Sequence, residues 1–126
     1  MSIAEDFKQF LIIKKIGNAN NISISRSPAV NIEKDDNFTI VAQGGFKSGG
    51  NVLQWKSTYN LLLIYRNRRG EELYKKDELL LNLNGCISLT NYKIARAVIN
   101  PMSEIDLGIN EVHVGQWNIQ LEIIKK

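Results

Sequence analysis

Hydrophobic positions crowd most densely between Tyr59 and Tyr65, where Tyr59, Leu61, Leu63 and Tyr65 alternate with Asn60, Leu62 and Ile64. Successive side chains of a strand point to opposite faces, so this segment reads as a strand that is apolar on both. Such a strand must be covered on both sides. The turn Asn67-Arg68-Arg69-Gly70 follows, with a glycine placed to supply a positive φ, and Glu72 to Asn84 reads as the returning arm of a β-hairpin. In that arm Leu79, Leu81 and Leu83 share one face and Leu80 takes the other.

The flanking segments are shorter. Ser2-Ile3-Ala4-Glu5 has the spacing of a capping box, which predicts a short helix over residues 3 to 9 with Phe7, Phe10 and Leu11 on one face. A strand from Phe10 to Ile16 competes with it and is preferred, because branched and aromatic residues cluster there, leaving residues 1–9 as a frayed turn or short helix. Ile22 to Ser25 alternates as a half-exposed strand, Pro28 marks a bend or an edge, Val30 and Ile32 resume pairing, and Phe38 to Ala42 is a further strand. The glycine-rich run Gly44 to Gly50 is expected to be the most mobile loop, followed by a strand from Val52 with Trp55 in the core. Beyond the Asn84-Gly85 turn, Ile87 and Leu89 predict a brief strand and Tyr92 to Ile99 another, stopped at Asn100-Pro101. Ile105, Leu107 and Ile109 alternate as a strand or extended connection, with Val112 and Val114 beyond them. The clearest strand is the last, where Trp117, Ile119, Leu121 and Ile123 alternate with Asn118, Gln120 and Glu122.

Short strands punctuated by turns, without a long helix, predict an all-β fold. The reading is a two-sheet antiparallel β-sandwich, immunoglobulin-like or jelly-roll, formed by residues 1–126 as a single domain, with a small β-barrel as the second choice.

Composition narrows the partners. A net charge of +3 and a pI near 9.0 make the chain only mildly basic, less than phosphate-dependent proteins usually concentrate. The N-terminus is acidic where a secretory signal would be basic, and no apolar run is long enough to span a membrane. A lone Cys86 agrees with a reducing compartment, so the expectation is a cytoplasmic protein, including a phage or plasmid product acting in a host cytosol.

The chemical inventory is thin. His113 is the single histidine, so neither a two-histidine metal site nor an HExxH arrangement fits within the chain. Cys86 with His113 is the one formal nucleophile pair, but Cys86 reads as a small buried hydrophobe and His113 as a sheet residue. The glycine run lacks the GxxxxGK[ST] spacing of a phosphate loop. Asp35-Asp36, Glu71-Glu72, Asp77-Glu78 and Glu104-Ile105-Asp106 read as solvated turns rather than calcium ligands or acid pairs. No catalytic residue, metal or cofactor is assigned.

Two surfaces stand out. Leu62, Ile64, Leu80 and Ile124 fall on nominally wet faces, so they are assigned to a protein interface. Tyr65, Arg66, Arg68, Arg69 and Tyr74 interleave charge with aromatic rings, the pattern that holds single-stranded nucleic acid, a carbohydrate or another small ligand. The apolar surplus carries more weight. The expected function is therefore a non-enzymatic protein-binding module, acting as a homo-oligomer or as a subunit or inhibitor in a larger assembly.

Overall fold

The computed structural model describes residues 3–25, 36–48, 56–105 and 113–124. Its first element is helix α1, Ile3–Ile13, which extends well past the short helix the capping box suggested and replaces the expected strand over Phe10 to Ile16. Ile3, Ala4, Phe7, Phe10 and Leu11 are all buried, at the three- and four-residue spacing that puts one helical face against a core. The helix closes in a Schellman motif, in which Ile16 N donates to Leu11 O and Lys15 N to Ile12 O, both at 3.0 Å. Lys15 occupies the left-handed position at φ 60 that glycine fills most cheaply. Lys15→Gly is accordingly expected to stabilise the protein by about 1 kcal/mol, read as a higher urea midpoint with an unchanged slope.

The strands are β1 (Ile22–Ser25), β2 (Asn37–Ser48), β3 (Lys56–Asn67), β4 (Lys93–Ile99), β5 (Ser103–Ile105) and β6 (His113–Ile124), and helix α2 spans Gly70–Leu81. They form one open mixed sheet in the order β1-β2-β3-β6-β4, with β5 paired to β6. The β1–β2 pair is parallel and all the others are antiparallel. The fold is mostly β, as expected, but neither a two-sheet sandwich nor a closed barrel is found among the described residues. Two helices stand where the second sheet was expected, α1 against β1 and β2, and α2 against β3 and β6.

Replacing the hairpin's second arm by α2 follows from composition and period. No β-branched residue lies between Gly70 and Asn84, whereas Glu, Lys and Leu, all good helix formers, fill the segment. Leu73 and Leu80 are fully buried, and Lys76 and Asp77 are half-buried between them, so the inner stripe follows the helical sequence i, i+3, i+4, i+7. Asn84 and Gly85 do turn the chain, with Gly85 at φ 80.

Beneath the helices lies the main core. Phe38 and Ile40 of β2, Leu61, Leu63 and Tyr65 of β3, and Trp117, Ile119, Leu121 and Ile123 of β6 meet the apolar faces of α1 and α2. In β4 the register slips between Ile94 and Arg96, leaving Ala95 as an extra residue. The bulge turns Ile94 to the same face as Ala97 and Ile99, although their spacing in sequence would separate them. A second slip in β2 lies between Ala42 and Gly45. Gly45 to Ser48 then pair with Lys56 to Tyr59, so this part of the glycine run is strand rather than loop. Ile87 and Leu89 form no strand and instead pack on the core from an irregular segment. Asp6 holds that segment down, its carboxylate accepting from Thr90 N at 3.2 Å and Asn91 N at 2.8 Å. Val30, Ile32, Val52, Trp55, Leu107, Ile109 and Val112 lie outside the described residues.

Candidate functional site

Strand β3 is apolar on both faces, and both are covered. On the face away from the helices, Leu62 and Ile64 form a separate buried cluster with Val41 and Val114, and are only 4% and 2% exposed. Leu80 is fully buried on α2 under the first core. Three of the four residues assigned to a protein interface are therefore interior to this chain and unavailable to a partner. The reason differs by residue: Leu80 sits on a helix rather than a strand, while Leu62 and Ile64 face a side of the sheet that the chain itself covers. Ile124, near the far end of β6, is half-buried.

The basic and aromatic cluster is divided by the same geometry. Tyr65 and Arg66 are buried, at 0% and 3% exposure, whereas Arg68 and Arg69 lie exposed between β3 and α2, and Tyr74 is 60% exposed on α2. Side chains alternate, so Tyr65 enters the helix-side core and Arg66 the opposite face. The Tyr65 ring lies tilted by 33° against that of Phe38 with centroids 4.4 Å apart, and Lys76 stands 5.7 Å from both ring centroids while donating to Ile16 O. The tyrosine hydroxyl donates to Asp36 Oδ1 and accepts from Asn67 Nδ2 at 2.8 Å. Asn67 Oδ1 in turn accepts from Arg69 N at 2.9 Å, just before α2 begins. Burial first, and then the bond to Asp36, hold the phenol well above the usual tyrosine range, against a smaller opposing effect from Asn67. This network fixes the corner between β3 and α2, which is a structural task.

Arg66 is a different case. Across the ladder it faces Asn37 on β2 and Val114 on β6, with Thr39 and Ile64 the next pair along this face. Asn37 and Thr39 are both buried, at 6% exposure. Neither Nε nor Nη1 of Arg66 has a hydrogen-bond partner among the described residues. Buried polar groups are nearly always satisfied, so two idle donors on one guanidinium mark the position. Arginine in the sequence pointed to this residue, but as part of an exposed patch. The even alternation from Leu62 through Ile64 to Arg66 carried the contrary signal, since it places the arginine on a face already apolar.

The remaining candidates do not converge. His113 lies against Gly70, at the start of α2, and 3.8 Å from Glu104. Cys86 is exposed, contrary to the buried hydrophobe expected, and follows the other end of the same helix. A helix of this length spans about 18 Å, so the pair is not brought into contact. Asp77 is no solvated turn: its Oδ1 accepts from Trp117 Nε1 at 2.8 Å and from Met102 N at 3.1 Å. Glu71 and Glu72 sit in the first turn of α2, where negative charge suits the helix dipole. Among the described residues no group of three His, Cys, Asp or Glu side chains is placed to hold a metal ion, and no helix is long and apolar enough to cross a membrane.

No family model matches the sequence, and no curated protein does. The fold is shared with a solved chain from the virion of a native gene transfer agent particle, at a TM-score of 0.59 over 98% of each chain. Sequence identity across that match is 4%, so the likeness is one of fold.

Proposed function

We propose that this chain is a non-enzymatic structural subunit that works by binding protein, joining copies of itself or neighbouring subunits in a larger, virion-like assembly. The observation that carries this reading is the match in fold to a chain from the virion of a gene transfer agent particle, over 98% of each chain. The open sheet supports it, because β1 and β4 each have one pairing neighbour among the described residues. An outer strand offers backbone groups to another chain. At one point this chain blunts its own edge: Asn84 Oδ1 accepts from Ile99 N at 2.6 Å and its Nδ2 donates to Ile99 O at 3.0 Å. The rest of β4, around Ala95 to Ala97, remains the better place for a partner than the buried Leu62 and Ile64.

Binding of single-stranded nucleic acid is the weaker reading. With Tyr65 and Arg66 withdrawn from the surface, only Arg68, Arg69 and Tyr74 of the proposed patch are exposed. That is few contacts for a backbone whose affinity grows with each neutralised phosphate.

Solution mass by light scattering, across a range of protein concentration and salt, tests the assembly reading. A mass that rises with concentration to a multiple of 14.3 kDa is the expected result. A protein that stays at the monomer mass throughout, and still does so when mixed with its genomic neighbours, overturns it.

A further inference from the structure

We propose that β4 is a self-pairing edge, along which a second copy of this chain adds its own β4 antiparallel across a twofold axis. The proposal deepens the assembly reading and rests on it. Strand β4 is open to solvent along its middle: Lys93, Ala95 and Arg96 are exposed, and Ile94, Ala97 and Val98 are half-buried. Its backbone shows which groups face outward. Asn84 takes both the N–H and the carbonyl of Ile99, so these turn away from β6. In an antiparallel ladder, residues alternate between facing the neighbouring strand and facing away from it. Ile99, Ala97 and Ile94 stand opposite Ile119, Leu121 and Ile123, every second residue of β6, so Ala97 and Ile94 turn outward as Ile99 does. The bulge at Ala95 keeps that order by fitting two residues where β6 has one.

The outward groups of Ile94 and Ala97 match those of a second copy. Setting Ile94 against the partner's Ala97, and Ala97 against the partner's Ile94, lets each pair exchange both backbone hydrogen bonds. The pairing stops short of Ile99, which Asn84 already holds. On the helix side of the sheet the large Ile94 then lies beside a small alanine. On the other face Arg96 meets the partner's Ala95 and not its arginine, and Val98 meets the partner's Lys93.

Charge is what selects a second copy as the occupant. Arg96, Val98, Gln120 and Glu122 line a cleft of about 100 Å³, and among the described residues no ion pair joins Arg96 to Glu122 across it. The partner's Lys93, exposed in the single chain and standing against Val98, reaches into that cleft toward the half-buried Glu122 carboxylate. Beside the start of β4, Ile87, Leu89, Tyr92 and Ile94 line an open groove of about 350 Å³. The same axis brings the partner's Asn84 turn, fixed to the far end of its β4, over that groove. A contact that is its own complement closes at two copies, so it sets a dimer as the unit from which a larger assembly grows.

The test uses the whole protein as wild type, Lys93→Glu and Glu122→Lys, with circular dichroism establishing that each is folded. In light scattering the wild type should pass from 14.3 kDa to twice that mass as its concentration rises. Each variant reverses one charge at both symmetry-related contacts and should weaken the dimer about 100-fold, about tenfold per contact. Mixed in equal amounts, the two variants should recover a dimer as tight as wild type, because each supplies at both contacts the charge the other lacks. Amide hydrogen exchange on the wild type gives a reading independent of any substitution. The Ile94 and Ala97 N–H groups should exchange slowly at high protein concentration and fast at low, while the amides of β6 stay protected at both.

A wild-type dimer that neither variant weakens, with Ile94 and Ala97 exchanging fast at every concentration, would overturn the β4 contact and leave the assembly reading to another surface. Two weakened variants that fail to pair when mixed would show that these charges do not cross between copies, and would overturn it too. Wild type at 14.3 kDa throughout, alone and with its genomic neighbours, would overturn the contact and the assembly reading together.

Discussion

Leu62→Glu and Ile64→Glu are expected to unfold the chain, not to release a folded monomer from an assembly. Both residues are buried in a cluster with Val41 and Val114, within one chain. A carboxylate placed there is shut off from solvent, and among the described residues the guanidinium of Arg66, two residues from Ile64 on the same face, is the counter-charge at hand. Losing the apolar side chain alone, as in Leu62→Ala, costs about 2–5 kcal/mol. Adding an unpaired charge raises the cost above about 4 kcal/mol, which is comparable with the whole stability of many domains, about 5–15 kcal/mol. Circular dichroism and a urea titration at low protein concentration check this. Native ellipticity with a reduced solution mass would return these residues to an interface. Ile64→Glu should be the milder of the two, since its carboxylate lies nearer Arg66. Ile124→Glu provides the contrast: half-buried near the end of β6, it should cost less than about 1 kcal/mol in a monomer.

Strand content was legible wherever the two-residue period was clean. Trp117, Ile119, Leu121 and Ile123 point to the core of β6 as their spacing requires, and the two-faced character of Tyr59 to Tyr65 is real. What the pattern could not give was the identity of the cover. An apolar strand face is equally satisfied by a helix, a second sheet, a loop or another chain, so the step from surplus hydrophobicity to an interface at Leu62 and Ile64 had no physical support of its own. Helix α2 was hidden for a different reason. Its inner stripe is Leu73, Lys76, Asp77 and Leu80, and the two central members are charged, so the helical period does not show in a hydrophobic reading. Lys76 is accepted there by the rings of Phe38 and Tyr65 and by Ile16 O, and Asp77 by Trp117, none of which is near α2 in sequence. Helix α1 is legible only in part, as a short helix over residues 3 to 9 with Phe7, Phe10 and Leu11 on one face, because the three branched or aromatic residues Phe10, Ile12 and Ile13 within four positions favour a strand beyond it. Ile13 is in fact 67% exposed, so it never belonged to a core strand. The candidate site suffered from reading residue type without parity: Tyr65 and Arg66 are adjacent and therefore opposite.

The pairing of Asp77 with Trp117 should behave as one unit whose removal in halves costs more than its removal entire. Trp117 is the largest fully buried side chain on the sheet, and its indole N–H donates to Asp77 Oδ1 at 2.8 Å. The same oxygen accepts from Met102 N at 3.1 Å, so one carboxylate ties α2 to β6 and to the segment entering β5. Trp117→Ala removes the ring and is expected to cost about 3–5 kcal/mol. Asp77→Ala leaves two donors without their acceptor, the indole nitrogen being wholly buried, and should cost about 1–3 kcal/mol for that group alone. Trp117→Phe keeps most of the apolar contact and deletes the donor, leaving Asp77 a bond to Met102. In the double variant Asp77→Ala with Trp117→Phe the buried donor and its acceptor are both gone. Its loss of stability should fall short of the sum of the two single losses by about 0.5–3 kcal/mol, the coupling expected of residues in contact. Urea denaturation of the four proteins measures that difference. Simple additivity would mean that the indole N–H finds water in solution, and that α2 is held to the sheet by Leu73 and Leu80 packing without help from the charge between them.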